Sequence, residues 1–220
     1  MNNLNDICDS IRDDLEARNT ARDKAIVLSR ELIRRCSESI RAIHRRDWDT
    51  ADAKLEDVKV GHNEINAVVD GFPDLYHTGY TQDALKEVAE AFITYAIIRN
   101  QPLPTLAELG IESSTYLKGL GEAATELRRF ILDIMRRQDS HSEEAERLLE
   151  AMDEIYDQLV TFDFPDALTH GLRRQTDIVR GVLERTRGDL TQSLRQQRLQ
   201  DALEQFEERL GIDDSSDPQS

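Results

Sequence analysis

The first 72 residues of this 220-residue chain contain no proline, and all five prolines fall between Pro73 and Pro218. Proline removes a backbone donor and breaks helix interiors, so its absence leaves room for helices tens of residues long. Alternating runs of Val, Ile and Thr, the mark of half-buried strands, are absent as well. The chain therefore reads as all-α, an antiparallel helical bundle of about six or seven helices. Its length fits one domain with a sizeable core. That domain is placed at residues 1–211, with 212–220 as a disordered acidic tail.

Helical periodicity and punctuation place the elements. A first helix is expected from near Asn3 to Arg46, punctuated by Asp47 or Asp49, and a second to about Val69. Asp70–Tyr80, "DGFPDLYHTGY", reads as a loop. Thr81 is the expected N-cap of the next helix, which "NQPLP" (Asn100–Pro104) ends. A short turn at "TLAELG" follows, then a helix from Ser113 or Ser114 to about Arg137. Ser142, with Glu143 and Glu144, would cap another helix ending near Asp163–Asp166. A last helix is expected over Leu168–Leu210, with Gly171, Gly181 and Gly188 as weak points.

The formal charge is −16, and only five of the 28 basic residues are lysines. Many carboxylates with few lysines suggest a protein adapted to high salt, where screening tolerates self-repulsion; an ordinary acidic cytosolic protein is the alternative. So acidic a chain is a poor general binder of nucleic acid, and any such function needs a local basic patch. Cys8 and Cys36 form no metal or redox motif and read as inert thiols of a reducing cytosol. The start lacks a signal-peptide core, and the apolar run Ala91–Ile98 is too short to span a bilayer. The expected location is cytoplasmic, with no membrane partner.

A basic patch does exist. On a helical wheel, Ala25, Leu28, Leu32, Cys36, Ile40 and Ile43 form one apolar stripe of the first helix. Arg30, Arg34, Arg41 and Arg45 cluster on the opposite face. Arginine's planar fork suits phosphate. The same arginines could equally be a solvated face paired with Asp23, Glu31 and Glu38.

The acids offer a second pattern. Glu87 and Glu90 lie three apart on one side of "DALKEVAEAFITYAII" (Asp83–Ile98), whose later part is apolar all round. Acids beside a buried segment should be paired, protonated or bound to a cation, and carboxylate oxygens suit Mg²⁺. Glu122 and Glu126 form another pair, and Glu126 shares an arc of small and apolar residues with Tyr116, Gly119, Ala123, Phe130 and Ile134. Asp157 lies opposite its helix's apolar arc and reads as a solvated acid. In so acidic a chain each of these can also be a plain surface carboxylate. No histidine has Glu three residues before it, which removes a ferritin-like di-metal site. Phosphate-loop, zinc-hydrolase and serine-hydrolase motifs are absent. The glycines of "GLGEAA" (Gly119–Ala124) follow no strand and are expected to let helices approach closely.

Five segments taken together resemble the translin superfamily. They are "LSRELIRRCSESIRAIHR" (Leu28–Arg45), "LKEVAEAFITYAII" (Leu85–Ile98), "YLKGLGEAATELRR" (Tyr116–Arg129), "EIYDQL" (Glu154–Leu159) and "VRGVLERTRGDL" (Val179–Leu190). They occur in order across most of residues 20–190, and the first 20 residues match nothing in the family. The resemblance is to an archaeal-type member. It implies a translin-like subunit in a hollow, octamer-like homo-oligomer with RNA on its inner wall. In the Trax branch it implies a Mg²⁺- or Mn²⁺-dependent endoribonuclease on single-stranded RNA, whose catalytic acids fall on Glu87, Glu90 and Asp157. Glu126 joins them as a metal neighbour, and the family's basic positions fall on Arg30, Arg34, Arg41 and Arg45. In the translin branch it implies a non-catalytic binder of single-stranded RNA or DNA.

Overall fold

The computed structural model describes residues 3–137 and 143–210. The expected tail and the proposed cap at Ser142 lie outside the described residues. Within them are six long helices and three of a single turn, with no strand. They run as α1 (Leu4–Arg45), α2 (Trp48–Val69), α3 (Pro73–Tyr76), α4 (Gly79–Ile98), α5 (Leu106–Leu109), α6 (Ser113–Arg137), α7 (Glu143–Leu159), α8 (Asp166–Thr169) and α9 (Leu172–Leu210). No described helix is long and apolar enough to cross a membrane.

The proline-free start becomes a 42-residue helix, about 63 Å long at 1.5 Å per residue. It buries Ala21, Ala25, Leu32, Cys36, Ile40 and Ile43 along one stripe. Arg46 ends it in the left-handed region at φ 57°, its N–H bonded to the Ala42 and Ile43 carbonyls. The Asp47 side chain then accepts the Thr50 N–H and starts α2.

The sequence expectation errs at three boundaries, the simplest being α7, which ends at Leu159 rather than near Asp163–Asp166. α4 begins at Gly79 with Thr78 as N-cap, not at Thr81. Thr81 is buried inside the first turn and donates its hydroxyl to the Leu75 carbonyl. That bond fastens α4 to α3, a helical turn within the expected loop. The last helix is also not continuous from Leu168. His170 at φ 47° and Gly171 at φ 88° separate α8 from α9. Gly181 and Gly188, by contrast, lie within an unbroken α9.

α4 is the central helix, with its most extensive contacts to α6 and α1. On one side Ala84, Val88 and Ala91 join Leu32, Cys36, Leu55, Val58 and Ile65 from α1 and α2. On the other, Leu85, Ala89, Ile93 and Ile97 join Leu127, Ile131, Leu148 and Met152 from α6 and α7. Burial on both sides explains why α4 is apolar around its circumference. Each buried Leu or Ile contributes about 1.5–3 kcal/mol. The Arg147 guanidinium donates to the Ile97 carbonyl at 2.8 Å, tying α7 to the end of α4.

Candidate metal centre and nucleic-acid face

The spacing of α4 and α6 is set at Gly119. A Cβ there would lie 2.5 Å from the Ala89 Cβ and 2.9 Å from the Lys86 carbonyl oxygen. Only glycine allows so close an approach. One turn along α6, Glu122 then comes opposite Glu87 and Glu90 of α4. One oxygen from each of these three carboxylates lies within 4.8 Å of the others.

Glu90 is the deepest of the three, 8% exposed. Burial, then the charges of Glu87, Glu122 and Glu126, push its carboxyl up to about 9, against the pull of Lys86. In the cation-free chain Glu90 is therefore protonated at neutral pH. Glu126 belongs to the same electrostatic neighbourhood. It lies one turn beyond Glu122, and its Oε2 is 2.7 Å from His44 Nε2. The His44 ring stacks on Phe130 with centroids 3.9 Å apart. Its Nδ1 is buried without a partner, so Nε2 carries the proton and donates it to Glu126. Thr94 Oγ1, one turn beyond Glu90, is another buried polar atom without a partner.

Lys86 supplies the positive charge. Its Nζ donates to Glu122 Oε1 at 2.7 Å and lies 3.2 Å from Glu87 Oε1. Burial works against its ammonium, but Glu122 and then Glu87 outweigh burial and raise its pKa. Burial, reinforced by Glu87 and Glu90, also pushes the Cys36 thiol up, so Cys36 offers no thiolate ligand. The donor set is carboxylate oxygen from two facing helices, which fits a hard divalent cation such as Mg²⁺ or Mn²⁺.

The structure thus brings Glu87 and Glu90 together with Glu122 and sets Glu126 beside them. Asp157 does not join the group of three. It is exposed on α7, on the face its periodicity indicates. Sequence reasoning passed over Glu122, Lys86 and His44 as members of the site. The usable signal was Gly119, because a glycine contact fixes which acid one turn later meets the neighbouring helix.

All four arginines of the α1 stripe are exposed. Arg34 pairs with Glu31 at 2.6 Å and Glu38 at 3.4 Å. Arg41 donates to the Ser37 carbonyl at 3.1 Å. Arg30 and Arg45 make no ion pair among the described residues. The stripe lies across α1 from Cys36, whose thiol feels Glu87 and Glu90. The arginines therefore lie on the side of α1 away from Glu87 and Glu90.

No family model matches the sequence. An uncharacterized protein of Methanocaldococcus jannaschii is 31% identical over 195 residues, covering 88% of this chain and 85% of that protein. Among solved structures, the chain is similar to the crystal structure of AfC3PO, with TM-score 0.78 and 30% identity over 84% of this chain and 96% of that one. It is similar to AfC3PO in a complex with duplex RNA, with TM-score 0.77 and 30% identity over 84% and 95%. Apo-NeC3PO shares the fold, with TM-score 0.76 and 19% identity over 84% and 96%.

Proposed function

Because the chain belongs to the translin superfamily as a C3PO-type (translin/Trax-like) protein, we propose that it is a Trax-like, metal-dependent endoribonuclease binding and cleaving single-stranded RNA inside a hollow homo-oligomer. The observation that carries this reading is the meeting of Glu87, Glu90 and Glu122 beneath the surface of a helical subunit. A bound Mg²⁺ or Mn²⁺ would neutralise charge on the phosphate and make attacking water more acidic. Glu87 and Glu122 would hold the cation, with Glu90, its proton released to solvent, as the third carboxylate donor. Glu126, oriented by His44, adds negative charge behind the site. Asp157 keeps its catalytic role on the family resemblance, acting from the exposed side of α7. Arg30, Arg34, Arg41 and Arg45 would hold the RNA backbone electrostatically, without reading sequence.

Incubating labelled single-stranded RNA with the protein, with and without Mg²⁺ or Mn²⁺, tests the reading. Fragments that form only with the cation support it, and intact RNA in every condition overturns it. Duplex RNA, the form bound in the AfC3PO complex, and single-stranded DNA run alongside define the strand preference.

A second reading, non-catalytic binding of the translin type, has one observation in its favour. Lys86 already neutralises part of the acid cluster, so the cluster can persist as a structural ion network. RNA retained uncut with Mg²⁺ and Mn²⁺ alike would favour it.

Two expected outcomes separate the roles. Glu122→Gln should weaken Mn²⁺ binding by at least about tenfold in calorimetry, since it removes one of three charged donors. Asp157→Ala should leave that affinity unchanged and abolish cleavage. Equal Mn²⁺ affinity in Glu122→Gln and wild type would remove Glu122 from the site. On α1, the double variant Arg30→Ala/Arg45→Ala should weaken RNA retention by roughly tenfold and flatten its dependence on log salt by about 1.4, the share of two contacts to a single strand. Arg34→Ala should do much less, because its guanidinium is already engaged by Glu31 and Glu38.

A further inference from the structure

We propose that Lys86 is a tethered counter-cation that holds the acid cluster together in the metal-free chain, and that divalent binding displaces it onto an RNA phosphate. The inference rests on the metal reading above and adds a role for a residue that reading does not use.

Three observations carry it. First, Lys86 Nζ already holds charge against the cluster, 2.7 Å from Glu122 Oε1 and 3.2 Å from Glu87 Oε1. These are two of the three carboxylates that converge. A divalent ion drawn to these carboxylates competes with the ammonium for them, because like charges repel at close range. Second, Lys86 is only 17% exposed, yet its stem is flexible and its head can turn toward solvent while α4 stays in place. Third, the arginine stripe faces away across α1. Among the described residues, the basic side chains in contact with these four acids are Lys86 and His44, and His44 is committed to Glu126 with its ring packed on Phe130. Lys86 is the one free to move. Once released it is the local positive charge able to meet a phosphate brought to the acids.

The exchange balances charge. Without a divalent ion, the Lys86 ammonium keeps Glu87 and Glu122 from repelling. With one bound, its two charges replace that of the ammonium. Lys86 is thus a competitor for the first ligand and a partner for the second.

Lys86→Met, measured in the full-length protein, separates these effects. It removes the charge and keeps most of the stem. Titration calorimetry should show Mn²⁺ binding at least about tenfold tighter than in wild type, because no ammonium has to be displaced. The melting temperature in EDTA should fall, and the rise on adding Mg²⁺ should exceed that of wild type. RNA affinity of the Mn²⁺-loaded protein should fall several-fold. Lys86→Arg, which keeps the charge, should stay near wild-type Mn²⁺ affinity and guards against a general packing defect. Equal or weaker Mn²⁺ binding by Lys86→Met would overturn the displacement. Undiminished RNA affinity of the loaded variant would overturn the phosphate role. If neither wild type nor variant binds Mn²⁺, the metal reading itself fails, and that result is distinct from a wild type that binds Mn²⁺ no more weakly than the variant.

Discussion

Glu90→Gln should make the metal-free protein more stable at pH 8 and leave it unable to cleave RNA. A glutamate in an unfolded chain titrates near 4.3, whereas burial and the neighbouring acids push Glu90 up to about 9. Between these values the folded chain keeps a proton that the unfolded chain has lost. Wild-type stability therefore falls as pH rises through that window, and it levels off above the folded value. By pH 8 the cost is on the order of 5 kcal/mol. Glutamine imitates the protonated carboxyl and carries no such slope. Chemical denaturation in EDTA should show the two proteins nearly equal below pH 4.5, with the variant pulling ahead as pH rises. Magnesium should restore wild type, because a cation favours the ionised form, and should do little for the variant. Cleavage should drop by at least about a thousand-fold, since a neutral amide is a poor ligand in place of a charged one. Parallel pH curves would show that Glu90 is not held protonated. Cleavage by the variant would remove Glu90 from the chemistry.

The sequence was most legible where one helix alone decided the outcome. The proline-free start foretold α1 and α2, because helix breakers act locally. The Glu87–Glu90 pair stood out because both acids sit on a helix that is otherwise apolar all round. Legibility failed where two elements meet. Thr81 has the chemistry of a cap, but the Leu75 carbonyl of α3 takes its hydroxyl and the helix starts two residues earlier. Glu122 and Glu126 look alike on the α6 wheel, and Glu126 looks the more inward. The contact of Gly119 with Ala89 turns Glu122 toward the cluster, while His44 draws Glu126 to its own side. Nothing in the sequence around Lys86 marks it as part of the site. Its reach to Glu122 across the helix pair depends on that same close approach. Asp157 was read correctly as an exposed residue, and periodicity cannot say what an exposed carboxylate faces.

Placing charge at the far end of α9 should take the assembly apart. α9 buries Val179, Leu183 and Leu190 against the bundle. Beyond Leu190 no residue of it is buried among those whose exposure is described. Yet Leu199, Leu203 and Phe206 recur there at helical spacing, 61%, 53% and 59% exposed. α1 does the same at its start, where Leu4, Ile7, Ile11 and Leu15 precede the first buried residue, Ala21. Two apolar stripes on the two longest helices, both overhanging the core, are what a subunit that buries them against further copies of itself would carry. A second copy of this chain is the occupant we assign to the α9 stripe. Leu203→Asp/Phe206→Asp would force two unpaired carboxylates into that contact, at several kcal/mol each. The subunit dissociation constant should rise by at least about a thousand-fold. Analytical ultracentrifugation at micromolar protein should show single subunits where wild type sediments as an oligomer. Circular dichroism should stay close to wild type, because the substituted residues support no part of the subunit core. Cleavage should fall as well, although Glu87, Glu90 and Glu122 are untouched, since in the proposed oligomer the arginines of one subunit, which lie across α1 from its own acid cluster, would serve a neighbour's. A wild type that sediments as a monomer would remove the proposed assembly, and a variant that stays assembled would move the subunit contact away from the α9 stripe. A dissociated variant that still cleaves RNA at the wild-type rate would show that one subunit suffices for the chemistry.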